Sequence, residues 1–225
     1  MHSEEEIIKQ RERKKKILKA SAGVIIGVFV LFVILVLVLS GIDGCMKNQR
    51  RAEIDSLTRW DYIYPDPDYD YNIFEDDAYM ATDRQVWFSD GVMKTTIAED
   101  DYISAEIKFM CGVIELIING DYEEYNKIFT DAYIRSAGGD WRERFTMQQL
   151  FNIELEYVDV RESGNVLYSD IMLTYRIRNN NGTFRKDLDV NDGILPVVYS
   201  LVTDSAGVIK VAGVLTYVKY STGLY

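Results

Sequence analysis

The stretch from Ala22 to Leu39, AGVIIGVFVLFVILVLVL, carries no charged or polar side chain over eighteen residues. Coiled as a helix it rises about 27 Å, close to the hydrocarbon thickness of a bilayer. No other stretch of the sequence approaches it, so the pattern predicts one membrane crossing over residues 22–42. The preceding tail holds Lys9, Arg11, Arg13, Lys14, Lys15, Lys16 and Lys19, whereas only Lys47, Arg50 and Arg51 follow closely. Basic residues gather on the cytoplasmic side of a span. Residues 1–21 are therefore expected in the cytoplasm and the remainder outside, a single-pass layout in the cell membrane. A cleaved signal peptide has a shorter apolar core ending in a small-x-small site, and fits less well.

Within that run, Gly23 and Gly27 share one helix face, flanked by Val24 and Val28. Missing side chains let a second backbone approach closely. These four residues resemble the core of glycophorin-type dimer motifs and predict self-association as a homodimer. The basic tail fits anchoring to the anionic headgroups of the lipid bilayer better than nucleic-acid binding. Ile42-Asp43-Gly44-Cys45 distantly resembles a bacterial lipoprotein cleavage box, but Asp43 stands where that box needs a small residue.

Residues 1–42 hold seven of the 25 basic and four of the 36 acidic residues, which leaves 18 against 32 beyond them, a net charge of −14. So acidic a surface argues against nucleic acid as a partner. It leaves cations, basic proteins or plain solubility. Of the two cysteines, Cys45 sits beside the expected span and Cys111 within an apolar helical pattern, so no disulfide framework is evident. Cys111 reads as a small buried hydrophobe. Asn181-Gly182-Thr183 fits an N-glycosylation sequon but reads equally as an Asn-Gly turn, the preferred reading.

Residues 43–80 are acidic, rich in tyrosine, stiffened by Pro65 and Pro67, and without periodicity, which predicts a stalk. Residues 81–225 form the expected outer domain. In it, Gln85 to Lys94 reads either as a short helix or as an edge hairpin. Thr96 and Glu99 have capping-box spacing. Ile103, Ile107, Met110, Cys111, Ile114, Ile117 and Ile118 then recur at helical spacing up to Asn119-Gly120, a stop signal. A second helix is predicted from Asp121 with a stripe of Tyr125, Ile128, Phe129, Ala132 and Tyr133, closed by Gly138-Gly139. After Trp141 the period changes to two. Ile153, Leu155 and Tyr157 alternate with glutamates, and Ile171, Leu173, Tyr175 and Ile177 alternate with polar or charged residues and Met172. Further strands are predicted at 183–190, 194–202 and 208–220. Strands following one another without intervening helices predict an antiparallel sheet, hence an α+β fold with helices on one face.

Residues 96–220 resemble the cone-shaped fold shared by nuclear transport factor, scytalone dehydratase and ketosteroid isomerase. The stretches that carry the resemblance are ISAEIKFMCGVIELIINGDYEEYNKIFTDAYI, FTMQQLFNIELEYVDV and VIKVAGVLTYVKY. It implies helices packed on a curved antiparallel sheet, with any ligand held between them. The whole layout, a short tail, one span and such a domain, looks like the bitopic assembly component of type IV secretion and conjugation machines. That resemblance implies a bacterial scaffold assembling with other envelope proteins.

The sole histidine is His2, so residues beyond the span lack imidazole, and serine–histidine and cysteine–histidine nucleophiles and most zinc sites are excluded there. Enzymes of the cone fold use an acidic base with tyrosine and a protonated carboxylic acid in the interlayer pocket. Tyr125, Tyr133, Tyr157 and Tyr175 fit an inward stripe, and plain core is the preferred reading. No cofactor is implied. The expectation is therefore a non-enzymatic assembly domain, with a small-ligand-binding protein or a lyase or isomerase as the alternative. The metal candidates are Asp66, Asp68, Asp70 and Asp77, which fall at positions 1, 3, 5 and 12 of a calcium loop, with Asn72 at 7. Tyr71 replaces the glycine that turns such a loop, Asp77 is shorter than the usual glutamate, and Pro65 and Pro67 disfavour a leading helix. A segment that spaces the domain from the membrane, or lies along it through its aromatics, is the favoured outcome.

Overall fold

The computed structural model describes residues 62–91, 93–97, 103–137 and 144–222, together with the isolated helical positions Gln49 and Ala52. The chain divides into two compact units, Met1–Glu53 and Ile54–Tyr225, and the second contains the sheet and the helices that pack on it. After a 3₁₀ turn at Ile73–Glu75 come α1 (Asp77–Met80), β1 (Val86–Ser89), β2 (Lys94–Thr96), α2 (Ala105–Asn119), α3 (Tyr122–Lys127) and α4 (Asp131–Ser136). They are followed by β3 (Gln149–Ser163), β4 (Val166–Arg178), β5 (Val197–Thr203), β6 (Ile209–Thr216) and α5 (Tyr217–Thr222).

Helix α2 forms where apolar residues recur every three or four positions. Its start is fixed by Ser104, whose Oγ accepts from the Ile107 N–H at 3.2 Å. It stops at Gly120, which takes φ +68° and donates its N–H to Ile117, while Asp121 donates to Leu116 at 2.9 Å. Only glycine fits there on two counts. The left-handed backbone disfavours a side chain, and a Cβ would lie 2.7 Å from the Met147 nitrogen. The buried face of α2 is Ile107, Met110, Val113, Ile114 and Ile117. Against it lie Leu155 of β3, Ile171, Leu173, Tyr175 and Ile177 of β4, and Tyr199 and Leu201 of β5. Each such fully buried aliphatic side chain contributes roughly 1.5–3 kcal/mol.

The six strands lie in the order β2-β1-β3-β4-β5-β6. The run β3 to β6 is an antiparallel meander, but β1 pairs parallel to β3, with Val86 beside Ile153 and Phe88 beside Leu155. The sheet is therefore mixed, which corrects the fully antiparallel sheet expected from the sequence. The reason is where β1 enters: the preceding chain docks at the start of β3, with Asn152 donating its N–H to the Asp83 carbonyl at 2.8 Å. A strand leaving that point runs alongside β3 in the same direction.

The other fold-class correction concerns the membrane helix. Among the described residues no helix is long and apolar enough to cross a membrane. The run at 22–42, including Gly23, Val24, Gly27 and Val28, lies outside the described residues, as do the basic tail and Cys45.

Several local expectations also change. Thr96 belongs to β2 opposite Trp87, and Ser104 is the cap of α2. The long second helix breaks into α3 and α4 because Ile128 to Thr130 turn aside to pair with β6. Val211 donates to the Ile128 carbonyl at 2.8 Å and Thr130 donates to Val211 at 2.9 Å. Its expected close at Gly138-Gly139 lies outside the described residues. Residues 183–190 form no strand. The last strand ends at Thr216, and Tyr217 begins α5 while donating its N–H to the Pro196 carbonyl at 2.8 Å. Residues 85–94 resolve as the hairpin β1–β2.

Gly120→Ala should lower the unfolding free energy by about 1–3 kcal/mol through the positive φ alone, before any clash with Met147. Gly112→Ala, in mid-helix with open space for the added methyl, should raise it by up to about 1 kcal/mol. Chemical denaturation of both variants checks the pair, and equal effects would refute this account of the turn.

Candidate docking surface

A catalytic or ligand-binding use of this fold requires open space between helices and sheet. Here that space holds Ile107, Met110, Ile114, Ile117, Leu155, Ile171, Leu173 and Tyr199, each at most 1% exposed. Tyr125 and Tyr199 meet hydroxyl to hydroxyl at 3.0 Å inside it, and the Tyr125 ring packs edge-on to Phe129, Phe145 and Phe184. The Tyr133 hydroxyl is engaged with the backbone of Val214 on β6. Tyr157 shares a 2.6 Å hydrogen bond with Ser104, whose Oγ also caps α2. Burial, then the neighbouring Glu106 carboxylate, raises the Tyr157 pKa, while the Ser104 bond opposes this. Glu106 in turn accepts from Thr203 at 3.2 Å. These contacts tie α2, α3 and α4 to the sheet. The Cys111 thiol is pushed up to about 11 by burial and by Glu115, which makes it a poor nucleophile at neutral pH.

The most polar buried group is Arg185, in the excursion between β4 and β5 that the sequence assigned to a strand. Its guanidinium donates to both Asp187 oxygens at 2.6 and 2.8 Å, to the Tyr175 hydroxyl at 2.7 Å and to the Leu195 carbonyl at 2.9 Å. Burial alone would disfavour the charge. Tyr175 and Asp187 outweigh it and hold the pKa above its ordinary value. Nearly all the donors of the fork are thereby used inside the chain, so the group organises the loop. Asn180 assists, donating to the Arg185 and Leu188 carbonyls at 2.8 and 3.0 Å.

A surface groove of about 600 Å³ lies between α3, α4 and β6, with Lys127, Phe129, Thr130 and Lys210 in its wall. Its lysines are occupied. Lys127 pairs with Glu124 at 2.5 Å, and Lys210 donates to the Lys127 carbonyl at 2.6 Å.

The Tyr-rich segment lies along the folded unit, one of the two outcomes expected for it. Tyr64 donates to the Lys186 carbonyl at 2.6 Å, with the Leu188 carbonyl 3.0 Å away. Burial and then Asp187 push its hydroxyl up to about 12. Its ring presses on Gly182, where a Cβ would stand 2.6 Å from a ring carbon and φ is +72°. This decides the Asn181-Gly182-Thr183 motif as a turn, with Asn181 donating to the Thr146 hydroxyl at 2.8 Å. Ile73 and Tyr79 are fully buried, and the Tyr79 hydroxyl donates to the Leu150 carbonyl at 3.0 Å. Asn72 caps the 3₁₀ turn, and Asp76 caps α1 by accepting from the Ala78 and Tyr79 N–H groups at 2.9 and 3.1 Å. The Gln149 side chain adds a 2.9 Å bond, and these bonds, Gln149 first, hold the Asp76 carboxyl below its ordinary pKa.

The four metal candidates are not gathered by this arrangement. Asp66, Asp68 and Asp70 are exposed, and Asp68 accepts the backbone N–H of Asp70 at 3.0 Å in a local turn. Asp77 opens α1 and is also exposed. Among the described residues no group of three or more histidine, cysteine or carboxylate side chains is placed to hold a metal ion. Sequence reasoning missed Asp76, which the calcium-loop count passed over, and Arg185, which sat in an alternating pattern. The one available signal for Asp76 was helix-cap chemistry, an aspartate just before a short helical run.

Comparison with known proteins found no matching family model, no matching curated protein and no matching solved structure. The expected secretion and conjugation layout is withdrawn. It depended on a membrane-spanning helix that no described helix provides, and no match carries it.

Arg185→Ala should cost about 3–5 kcal/mol of stability by leaving Asp187 and Tyr175 without their partner, and Arg185→Lys should recover little because an ammonium lacks the fork. Denaturant titration of the two variants reads the difference. Millimolar calcium should leave the melting temperature of the chain unchanged; a saturable rise abolished by Asp68→Asn with Asp70→Asn would overturn the structural reading of those acids.

Proposed function

We propose that the unit Ile54–Tyr225 is a protein-binding module that contributes to an assembly and performs no chemistry of its own. The observation that supports this most is the filling of the interlayer space by side chains that are fully buried. A small ligand or substrate would have to displace Ile, Leu and Tyr groups worth roughly 1.5–3 kcal/mol each. The absence of imidazole beyond His2 supports the same reading. The side chains that fill the interlayer space favour a role for the surface, which is strongly acidic beyond residue 42.

The apolar run at 22–39 and its basic leader support a place at the cell membrane. That localisation rests on the sequence pattern. Self-association and contact with envelope proteins are the corresponding partners, and nucleic acid is disfavoured by charge.

The full-length chain, extracted gently from its native cells, should migrate well above its monomer mass of 26.0 kDa together with other polypeptides in fixed ratio. A chain that runs alone, and whose melting temperature rises saturably with a small apolar ligand such as a steroid, would return the reading to the ligand-binding or lyase and isomerase alternative.

A further inference from the structure

We propose that the strap of residues 64–81 is the docking surface of this module, and that its partner is a protein presenting an extended segment rich in arginine and lysine. The inference rests on the binding-module reading and names the partner's chemistry.

The strap buries two anchors, Ile73 and Tyr79, yet leaves Tyr69, Tyr71, Phe74 and Met80 at 39%, 46%, 41% and 39% exposure. Four large apolar groups within twelve residues is more than scattered surface exposure accounts for. They are not loosely held. The backbone beneath them is fixed by the Asn72 and Asp76 caps, by Gln149 on Asp76 and by Tyr79 on Leu150. A surface ordered beforehand loses little entropy when a partner lands on it.

Charge specifies the partner. Residues 62–83 contain seven acidic side chains, Asp66, Asp68, Asp70, Glu75, Asp76, Asp77 and Asp83, and no basic one. Of these, Asp76 and Asp83 are held by internal hydrogen bonds, while Asp66, Asp68, Asp70, Glu75 and Asp77 are exposed, although Asp68 also accepts from the Asp70 N–H and Glu75 from the Asn72 side chain. An acidic partner would be repelled, and a purely apolar one would bury those carboxylates unpaired. A guanidinium satisfies both features, stacking on an aromatic face while its N–H groups reach a carboxylate. The strap already holds one such group: Arg144 lies 4.5 Å from the Tyr69 ring centroid. Tyr71 and Phe74 are likewise partly exposed, at 46% and 41%, among the same carboxylates.

The test places a photo-crosslinking phenylalanine analogue at Phe74, and separately at Val208 on the far β5–β6 turn, in the full-length chain within its native cells. Crosslinking at position 74 should capture a polypeptide whose contact peptide is net basic. The yield should fall at least tenfold with Asp66→Asn, Asp68→Asn, Asp70→Asn and Asp77→Asn combined. Binding of a nona-arginine peptide to the purified chain should likewise weaken at least tenfold in Phe74→Ala with Met80→Ala, at unchanged melting temperature, and nona-lysine should bind more weakly than nona-arginine. Capture at Val208 but not at Phe74 would overturn the strap while leaving the binding module standing. Capture at neither position would overturn the module as well. Nona-arginine binding that ignores the aromatic substitutions would reduce the strap to nonspecific charge attraction and sink the proposal.

Discussion

A fifteen-residue helix with a long apolar stripe has to press that stripe against something, and in this chain the inner side of β3, β4 and β5 receives it. Most of the remaining architecture depends on that contact. It fixes which side of each strand faces inward, since a one-residue slip would turn Ile171, Leu173 and Tyr175 to solvent. It fixes where α2 must end, because the chain has to turn within reach of Met147 to start β3, and Gly120 permits that turn. It also fills the space between helices and sheet with buried side chains.

The two edges of the sheet are handled differently. An exposed edge invites pairing with other chains. Along β6 the break between α3 and α4 supplies backbone partners at Val211, and the Tyr133 hydroxyl occupies Val214. Across β3 the N-terminal hairpin adds β1 and the three-residue β2, leaving a very short final edge. Lys94 stands there, bridged to Glu154 and lying over the Trp87 ring, a charged residue of the kind that discourages further strands.

These devices explain what the sequence could and could not reveal. Helix α2 and strand β4 were legible because their burial repeats at the period of their own backbone. The interruption at Ile128 to Thr130 was not, because it answers the need of a strand some eighty residues away, and the apolar stripe runs through it unbroken. The stretch 183–190 alternated like a strand, but Arg185 finds so complete a set of partners in the loop that pairing in the sheet is the weaker option. Parallel pairing of β1 depended on where the strap docks, a tertiary fact. At the candidate surface the acids were conspicuous, yet counting them toward a cation loop obscured Asp76, whose partners are backbone N–H groups. The buried Tyr79 carried no periodic signal at all.

Tyr64 threads between Gly182 and the carbonyls of Lys186 and Leu188, at the N-terminal limit of the strap. Any tension applied through the chain before residue 62 therefore reaches this ring early. It passes into the loop that Arg185 bonds to Tyr175 near the C-terminal end of β4, a strand inside the sheet. Such a seat would act like the clamp that keeps a cable from being drawn out of its socket. A domain loaded from its N-terminal side would keep its aromatic strap seated under forces that would peel a simple tether.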